Sequence, residues 1–299
     1  MVDVAVLPAD SAAAFKRAQQ GKSYWRRVWE RLRDDKVTLA VIGVLVMLLI
    51  MVVFAPWFTM HDPYTGSVLR RLKPVGTPGH WLGTDEVGRD LWARMVFGGR
   101  LSLLAGVMPV FLALLIGGSL GVAAGYVGGL VNSAIMRLTD VLYAFPSILL
   151  AIAITGILGS GLQNTILALT ISFIPPIIRI SESVTTQVRH LDFVEAARAS
   201  GAGPLTIMRY HILNNMLGPI LVYATSLISV CIILAAGLSF LGLGVTPPSA
   251  EWGLMLNNLR QALWVSPLVA ALPGVMIFIT SMCFNLMSDG LRQAMDVRL

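Results

Sequence analysis

Leu191-Asp192-Phe193-Val194-Glu195-Ala196-Ala197-Arg198-Ala199-Ser200-Gly201-Ala202-Gly203-Pro204, running on into Leu205-Thr206-Ile207-Met208-Arg209-Tyr210-His211-Ile212-Leu213, is the stretch on which the reading turns. Asp192 with Glu195 three residues on has the form of a capping box and predicts that a short helix begins there. Ala196, Ala197 and Ala199 propagate that helix with little side-chain bulk. Gly201 and Gly203 can take the left-handed conformation that ends a helix, and Pro204 suits the first turn of the next. The pattern is helix, glycine corner, helix. A small-residue helix carrying Phe193 and charges is suited to docking in a partner's groove, although alanine and glycine would equally suit a tight reversal between two spans.

On both sides of this stretch the chain turns apolar. Of 299 residues, 56% are hydrophobic and 13% charged, whereas a soluble domain carries about a quarter charged residues. Most of the surface must therefore face lipid. A hydrocarbon core of ~30 Å takes about 20 apolar residues of helix. Six segments approach that length: Val37 to Phe58, Leu101 to Tyr126, Thr139 to Leu158, Thr165 to Ile180, Pro219 to Leu241, and Leu268 to Met287. The expected fold is all-α, a polytopic membrane protein with six transmembrane helices. Pro175-Pro176 is expected to interrupt the fourth segment. Pro109, Pro146, Pro175, Pro176 and Pro273 predict kinks turned toward protein, because lipid cannot satisfy a freed carbonyl. Gly106, Gly117, Gly118, Gly121 and Gly125 punctuate the second span. The Gly-x-x-x-Gly steps from Gly117 to Gly121 and Gly121 to Gly125 predict close packing against a second helix.

Charge sets the topology. Lys16, Arg17, Lys22, Arg26, Arg27, Arg31, Arg33 and Lys36 crowd the first thirty-six residues, and the net charge of +6 reads as an orientation signal. Basic residues interleaved with Trp25 and Trp29 also suit nucleic acid, but directly before an apolar span they read as an anchor at an anionic leaflet, so membrane lipid and no nucleic acid is expected as partner. The apolar run begins too late for a secretory signal and has no cleavage site after it, so it reads as a retained anchor. With the arm cytoplasmic, six crossings place Arg137, the segment 181–218 and the tail with Arg292 and Arg298 on the same side, leaving both termini cytoplasmic. The loops Gly159 to Asn164 and Gly242 to Pro267 hold little Lys or Arg besides Arg260 and fit outside. The stretch from Thr59 to Arg100 runs against the rule, with Arg70, Arg71, Lys73, Arg89, Arg94 and Arg100 on what must be the outer side.

Ionisable groups that could do chemistry are few. Arg137 with Asp140, Arg179 with Glu182, and Asn285 with Asp289 all sit near predicted span ends, where paired or snorkelling groups are usual. Asp140 lies within salt-bridge reach of Arg137 on one helix. His61, His80, His190 and His211 occur without a His-Glu-x-x-His or Gly-x-Ser-x-Gly pattern. Cys231 and Cys283 lie in apolar runs and suggest neither a metal site nor a disulfide. Gly21-Lys22-Ser23 looks like the tail of a phosphate-binding loop, but Lys16 stands where that loop needs glycine. No catalytic, metal-binding or cofactor-binding residue is assigned, no cofactor is expected, and the substrate contacts are unknown.

Glu195-Ala196-Ala197, three residues, Gly201, nine more, then His211-Ile212-Leu213 resembles the EAA loop of binding-protein-dependent ABC importer permeases. Leu82-Gly83-Thr84-Asp85-Glu86-Val87-Gly88-Arg89-Asp90, running into Gly99-Arg100-Leu101-Ser102-Leu103, resembles the segment before the second span in C-type permeases of dipeptide, oligopeptide and nickel importers. Leu238-Ser239-Phe240-Leu241-Gly242-Leu243-Gly244 with Pro247-Pro248 and Glu251-Trp252-Gly253 resembles the same proteins' external loop after the fifth span. The likeness runs from about Arg26 to the end of the chain, with one departure, Asn214 where the family usually has proline.

The resemblance implies the ABC importer type I permease fold and a bacterial inner-membrane location. Its parts are an arm at 1–36, a first span at 37–58, an extracytoplasmic loop at 59–100, a core at 101–288 containing the coupling loop 181–218, and a tail at 289–299. Glu195, Ala196, Ala197 and Gly201 inherit the coupling role by position, and Asp192, Gly203 and His211 complete that ATPase-coupling interface. The implied partners are a homologous second permease forming a heterodimer, two cytoplasmic ATPase subunits that hydrolyse the ATP, and an extracytoplasmic solute-binding protein. The implied cargo is a di- or oligopeptide, with glutathione and nickel complexes as alternatives. A passive channel or secondary transporter is the competing class, and it gives the Glu195 loop no purpose.

Overall fold

The structure, a computed structural model, describes residues 24–295; Gly21-Lys22-Ser23, the basic arm before Tyr24 and Arg298 lie outside the described residues. Ten principal helices follow one another: α1 (Tyr24–Asp34), α2 (Lys36–Val53), α3 (Leu91–Val127), α4 (Gly129–Tyr143), α5 (Ser147–Leu158), α6 (Leu162–Arg189), α7 (Asp192–Ala199), α8 (Leu213–Phe240), α9 (Trp252–Asn258) and α10 (Pro267–Met295). Among the described residues, β pairing is limited to the isolated bridges Gly66 with Arg89, Thr77 with His80 and Thr84 with Asp90. Five helices are long and apolar enough to cross a membrane, or six if α4 and α5, bent by 82° to each other, count as one crossing.

That bent pair corrects the third expected span. Thr139 to Leu158 is not one straight helix, because Pro146 lacks an N–H and disfavours helical backbone in Phe145 before it. Residues 144–147 are exposed. The Pro175-Pro176 pair behaves in the opposite way and leaves α6 continuous for 28 residues. Pro175 is buried there, and the Thr170 and Ser172 hydroxyls donate to the Ile166 and Ala168 carbonyls at 2.7 and 2.8 Å. Pro109 and Pro273 are buried as well. Of the prolines expected to face protein, Pro146 alone stands exposed, at the break.

The spine of the molecule is the contact of α3 with α6. With 37 residues α3 is about 55 Å long, so it crosses the core and projects beyond it. Asp90 caps its start by accepting from the Ala93 N–H at 2.8 Å. A Cβ on Gly117 would lie 2.9 Å from the Ile174 carbonyl oxygen. One on Gly121 would lie 2.5 Å from Ser181 Cβ and 2.6 Å from the Ile178 oxygen, and one on Gly125 would lie 2.7 Å from the Glu182 oxygen. The Gly-x-x-x-Gly steps thus do packing, which lets two backbones touch without a side chain between them. On the other flank of α3, Gly106 admits Ile232 of α8.

The remaining helices wrap this spine. α10 packs along α8 and α2, and Gly290 leaves room for Thr38 of α2. Val28 and Leu32 of α1 bury against Ala294. Asp35 caps α2 by accepting from the Val37 and Thr38 N–H groups at 3.0 and 3.3 Å. At its other end Arg100 donates to the Val52 and Val53 carbonyls at 2.9 and 2.8 Å, filling groups that a helix C-terminus leaves without partners.

Gly121→Ala is expected to destabilise the chain by about 1–3 kcal/mol through overpacking. Gly118→Ala, whose added Cβ meets only Leu114 Cδ1 at 3.9 Å, is expected to be neutral or stabilising by up to about 1 kcal/mol. Melting curves of the two variants in detergent check the pair; equal melting points would remove the close contact.

Candidate coupling element and the clamp at the opposite end

At one end of the bundle α7 hangs between α6 and α8. Its start differs from the expected capping box. Leu191 is the N-cap, no side chain caps the helix, and Asp192 is already its first residue. The Leu191 carbonyl accepts from Val194 and Glu195 N–H groups at 2.9 and 3.3 Å, which moves the cap back by one position. Asp192 and Glu195 then both lie in the first turn, where the helix dipole favours negative charge.

The glycine corner forms as a Schellman closure. Gly201 at φ +83 donates its N–H to the Arg198 carbonyl at 3.0 Å, and Ala202 donates to Ala197 at 3.1 Å. Only Gly201 is left-handed. Gly203 is extended at φ −71, ψ 160 and precedes Pro204, which opens the next helical turn. From Pro204 to Phe240 the helix runs on without a break, through a π-turn at Ile207–Ile212. Asn214 donates to the Tyr210 carbonyl at 3.1 Å and Asn215 to the His211 carbonyl at 2.6 Å, so the widened turn is bonded from outside.

Val194 is the one anchor of α7, fully buried with Val188, Ile207, Ile212, Met216 and Ile220. Asp192, Glu195, Ala196, Gly201 and Gly203 are exposed, while Ala197 and His211 are half-buried. His211 is not on α7; its ring lies 6.2 Å from that of Phe193, which brings the π-turn against the short helix. Among the described residues neither Asp192 nor Glu195 enters an ion pair. Behind α7, Arg189 donates to the Gly125 and Tyr126 carbonyls at 3.0 Å each, and Asn132 donates to Glu182 at 2.7 Å. The foot of α6 is thereby tied to α3 and α4.

The opposite end carries a buried network built on the 82–94 stretch. Asp85 accepts from the Val87 and Arg89 N–H groups at 2.9 Å each, from Arg89 Nε at 2.6 Å, and pairs with Arg94 Nε at 3.2 Å. Arg94 donates to the carbonyls of Pro63 at 2.9 Å and Ser249 at 3.1 Å, so a single guanidinium joins the 59–90 segment to the loop before α9. Glu251 there accepts from Ser102 Oγ at 3.0 Å and from the Gly253 and Leu254 N–H groups at 2.9 and 2.8 Å, capping α9. Burial pushes its carboxyl above the ordinary range, and the backbone donors pull partly against that. Gly83 and Gly88 take positive φ where a Cβ would run into the Lys73 and Ser67 carbonyls, which accounts for two glycines of the quoted motif.

His61, His80 and Asp90 also meet here, with candidate ligand atoms within 4.8 Å of one another. His80 Nδ1 is engaged by Asp90 at 2.8 Å, and Arg70 Nη1 stands 3.4 Å from its Nε2, putting a positive charge where a cation would bind. The expected Arg137–Asp140 pair is replaced: Asp140 pairs with Arg179 of α6 at 2.5 Å, because α4 folds against α6 and brings the guanidinium closer.

Asp85→Ala removes the charge between two buried guanidinium groups and is expected to destabilise the chain by about 3–5 kcal/mol, read as a large drop in melting temperature and loss of folded protein from membranes; an unchanged melt would dismiss the clamp.

Residues 117–299 match the family described as binding-protein-dependent transport system inner membrane component, and residues 23–74 match the N-terminal TM domain of oligopeptide transport permease C. The glutathione transport system permease protein GsiD of Pectobacterium atrosepticum is 42% identical over 284 residues, 95% of this chain and 94% of the relative. Its counterpart in Escherichia coli O6:K15:H31 is 39% identical over 289 residues, 97% of this chain and 95% of the relative. Among solved structures, a chain of the MetNI methionine ABC transporter in an inward-facing conformation superposes with a TM-score of 0.56 at 21% identity, over 68% of this chain and 97% of that one. A chain of an amino acid ABC transporter with histidines gives 0.50 at 18% identity, over 67% and 94%. With this bundle and these relatives, the chain belongs to the inner membrane components of binding-protein-dependent transport systems, the permease subunits of ABC importers.

Proposed function

We propose that this permease forms half of the translocation path of an ATP-driven importer for glutathione or another short peptide, and that α7 is where ATPase subunits drive it. The observation that carries the reading is the attachment of α7: one buried side chain, Val194, holds it, its acidic and small residues point outward, and it joins two membrane helices. A push on such an element is passed to α6 through Val194 and to the helix Pro204–Phe240 through the Schellman corner. Switching the side to which the path opens needs two packings biased by nucleotide.

In this reading Asp192, Glu195, Ala196, Ala197, Gly201, Gly203 and His211 form the docking surface on the cytoplasmic side, within a coupling loop at 181–218. Both termini are cytoplasmic, the 59–100 segment is outside, and 101–288 is the transport core. The basic residues that oppose this orientation find local use, since Arg89 and Arg94 are paired with Asp85 and Arg100 caps α2. A homologous second permease, two ATPase subunits and an extracytoplasmic binding protein complete the machine. The glutathione-permease relatives along nearly the whole chain support a peptide cargo.

Glu195→Ala, at an exposed position whose loss leaves the Val194 anchor intact, is expected to lower glutathione uptake by about tenfold or more, within the range of coupling energies between linked sites. Uptake into proteoliposomes holding the complete complex is measured beside the amount of inserted permease and co-purified ATPase. Undiminished transport at normal insertion would end the coupling role.

A further inference from the structure

Asp140 of α4 and Arg179 of α6 pair at 2.5 Å, and Arg179 Cζ lies 4.7 Å above the ring of Tyr143. The two charged side chains are nevertheless 57% and 48% exposed. About 25 Å of helix separates Arg179 from Leu162 at the other end of α6, less than the ~30 Å of a hydrocarbon core. Charged groups within a core face protein or water, because contact with lipid is too costly. The backbone at 144–146, exposed and outside any helix, obeys the same limit: within a core such backbone is tolerated only against protein or a wet cavity. A cavity of about 310 Å³ does open there, walled by Tyr143, Phe145, Ser147, Ser172, Pro176 and Tyr223. Tyr143 belongs both to that wall and to the Arg179 contact.

We infer that Asp140 and Arg179 line the solute path and exchange their mutual ion pair for the charged ends of a passing peptide, Arg179 taking a carboxylate and Asp140 an ammonium. This rests on the short-peptide reading of the cargo. In the empty path the two residues neutralise each other, so neither charge stands alone. A zwitterionic solute offers each a replacement partner, and one ion pair becomes two without an unpaired charge being left behind. A solute whose carboxylates are capped offers Arg179 only neutral amide oxygens, weaker acceptors than Asp140, and the pair stays closed. The pair is therefore a gate selective for ionised ends, located by tertiary contact between α4 and α6.

The test uses the complete transporter in proteoliposomes, supplied with glutathione or its dicarboxamide, in which both carboxylates are neutral, with the binding protein's own preference between them measured separately and divided out. The native complex is expected to retain about a tenfold preference for the free acid, the value of one charge-assisted hydrogen bond. Arg179→Gln should bring that preference to about one, and Arg179→Lys should keep most of it. If Arg179→Gln fails to assemble, Asp140→Asn with glutathione against its N-acetyl derivative reads the other half of the exchange. An unchanged preference in the neutral variant overturns the inference. So does an Arg179→Cys complex that a water-soluble thiosulfonate cannot label, since the pair would then be sealed against the second permease. Uptake of neither form by the native complex would instead overturn the peptide reading itself, a result distinguishable from both.

Discussion

Two helix backbones in direct contact organise this protein. In lipid there is no hydrophobic force to press helices together, so α3 and α6 depend on dispersion between close atoms and on the absence of side chains at Gly117, Gly121 and Gly125. The spacing matters because residues four apart recur on one helix face. A row of glycines there makes a groove that Ile174, Ile178, Ser181, Glu182 and Thr185 enter. Every other helix is positioned from this seam: α8 against the Gly106 flank, α10 against α8, and α2 against α10.

The seam also joins the two ends of the molecule. At the foot, Arg189 reaches the carbonyls just beyond Gly121, so α7 hangs from a rigid base. At the head, Asp90 caps the same α3, while Arg94 and Ser102 on its first turns hold the loops before and after the spans through Pro63, Ser249 and Glu251. One long helix thus carries the clamp at one end and supports the base of α7 at the other. In the proposed coupling role a displacement at α7 would be passed on as movement of whole helices, because the packed interior has little room to absorb it.

Local chemistry in the sequence was legible where a few neighbouring residues decide it. The Gly201 corner, the Pro204 start and the glycine packing face all came through. The capping box at Asp192 did not, since backbone bonds to Leu191 satisfied the same N–H groups first. Gly203 stayed extended because the turn into Pro204 required only one left-handed residue. Proline proved double-valued: Pro146 broke a span at an exposed site, while Pro175 and Pro176 were absorbed in a helix that α3 supports from the side. A proline in a sequence gives the lost hydrogen bond but not the neighbour that compensates it.

Apolar length, glycine spacing and the placement of Asp192 to Gly203 between two spans were determined by the chain itself, because each depends on residues within one or two helical turns. The partner of Asp140, the meeting of Asp85 with Arg94, the burial of Glu251 and the cavity beside Tyr143 were decided only by the tertiary structure. They join residues as far apart as Ser102 and Glu251. Whether a charge is a solvated end or a buried clamp depends on what the fold brings within about 3 Å of it, and no local pattern records that distance.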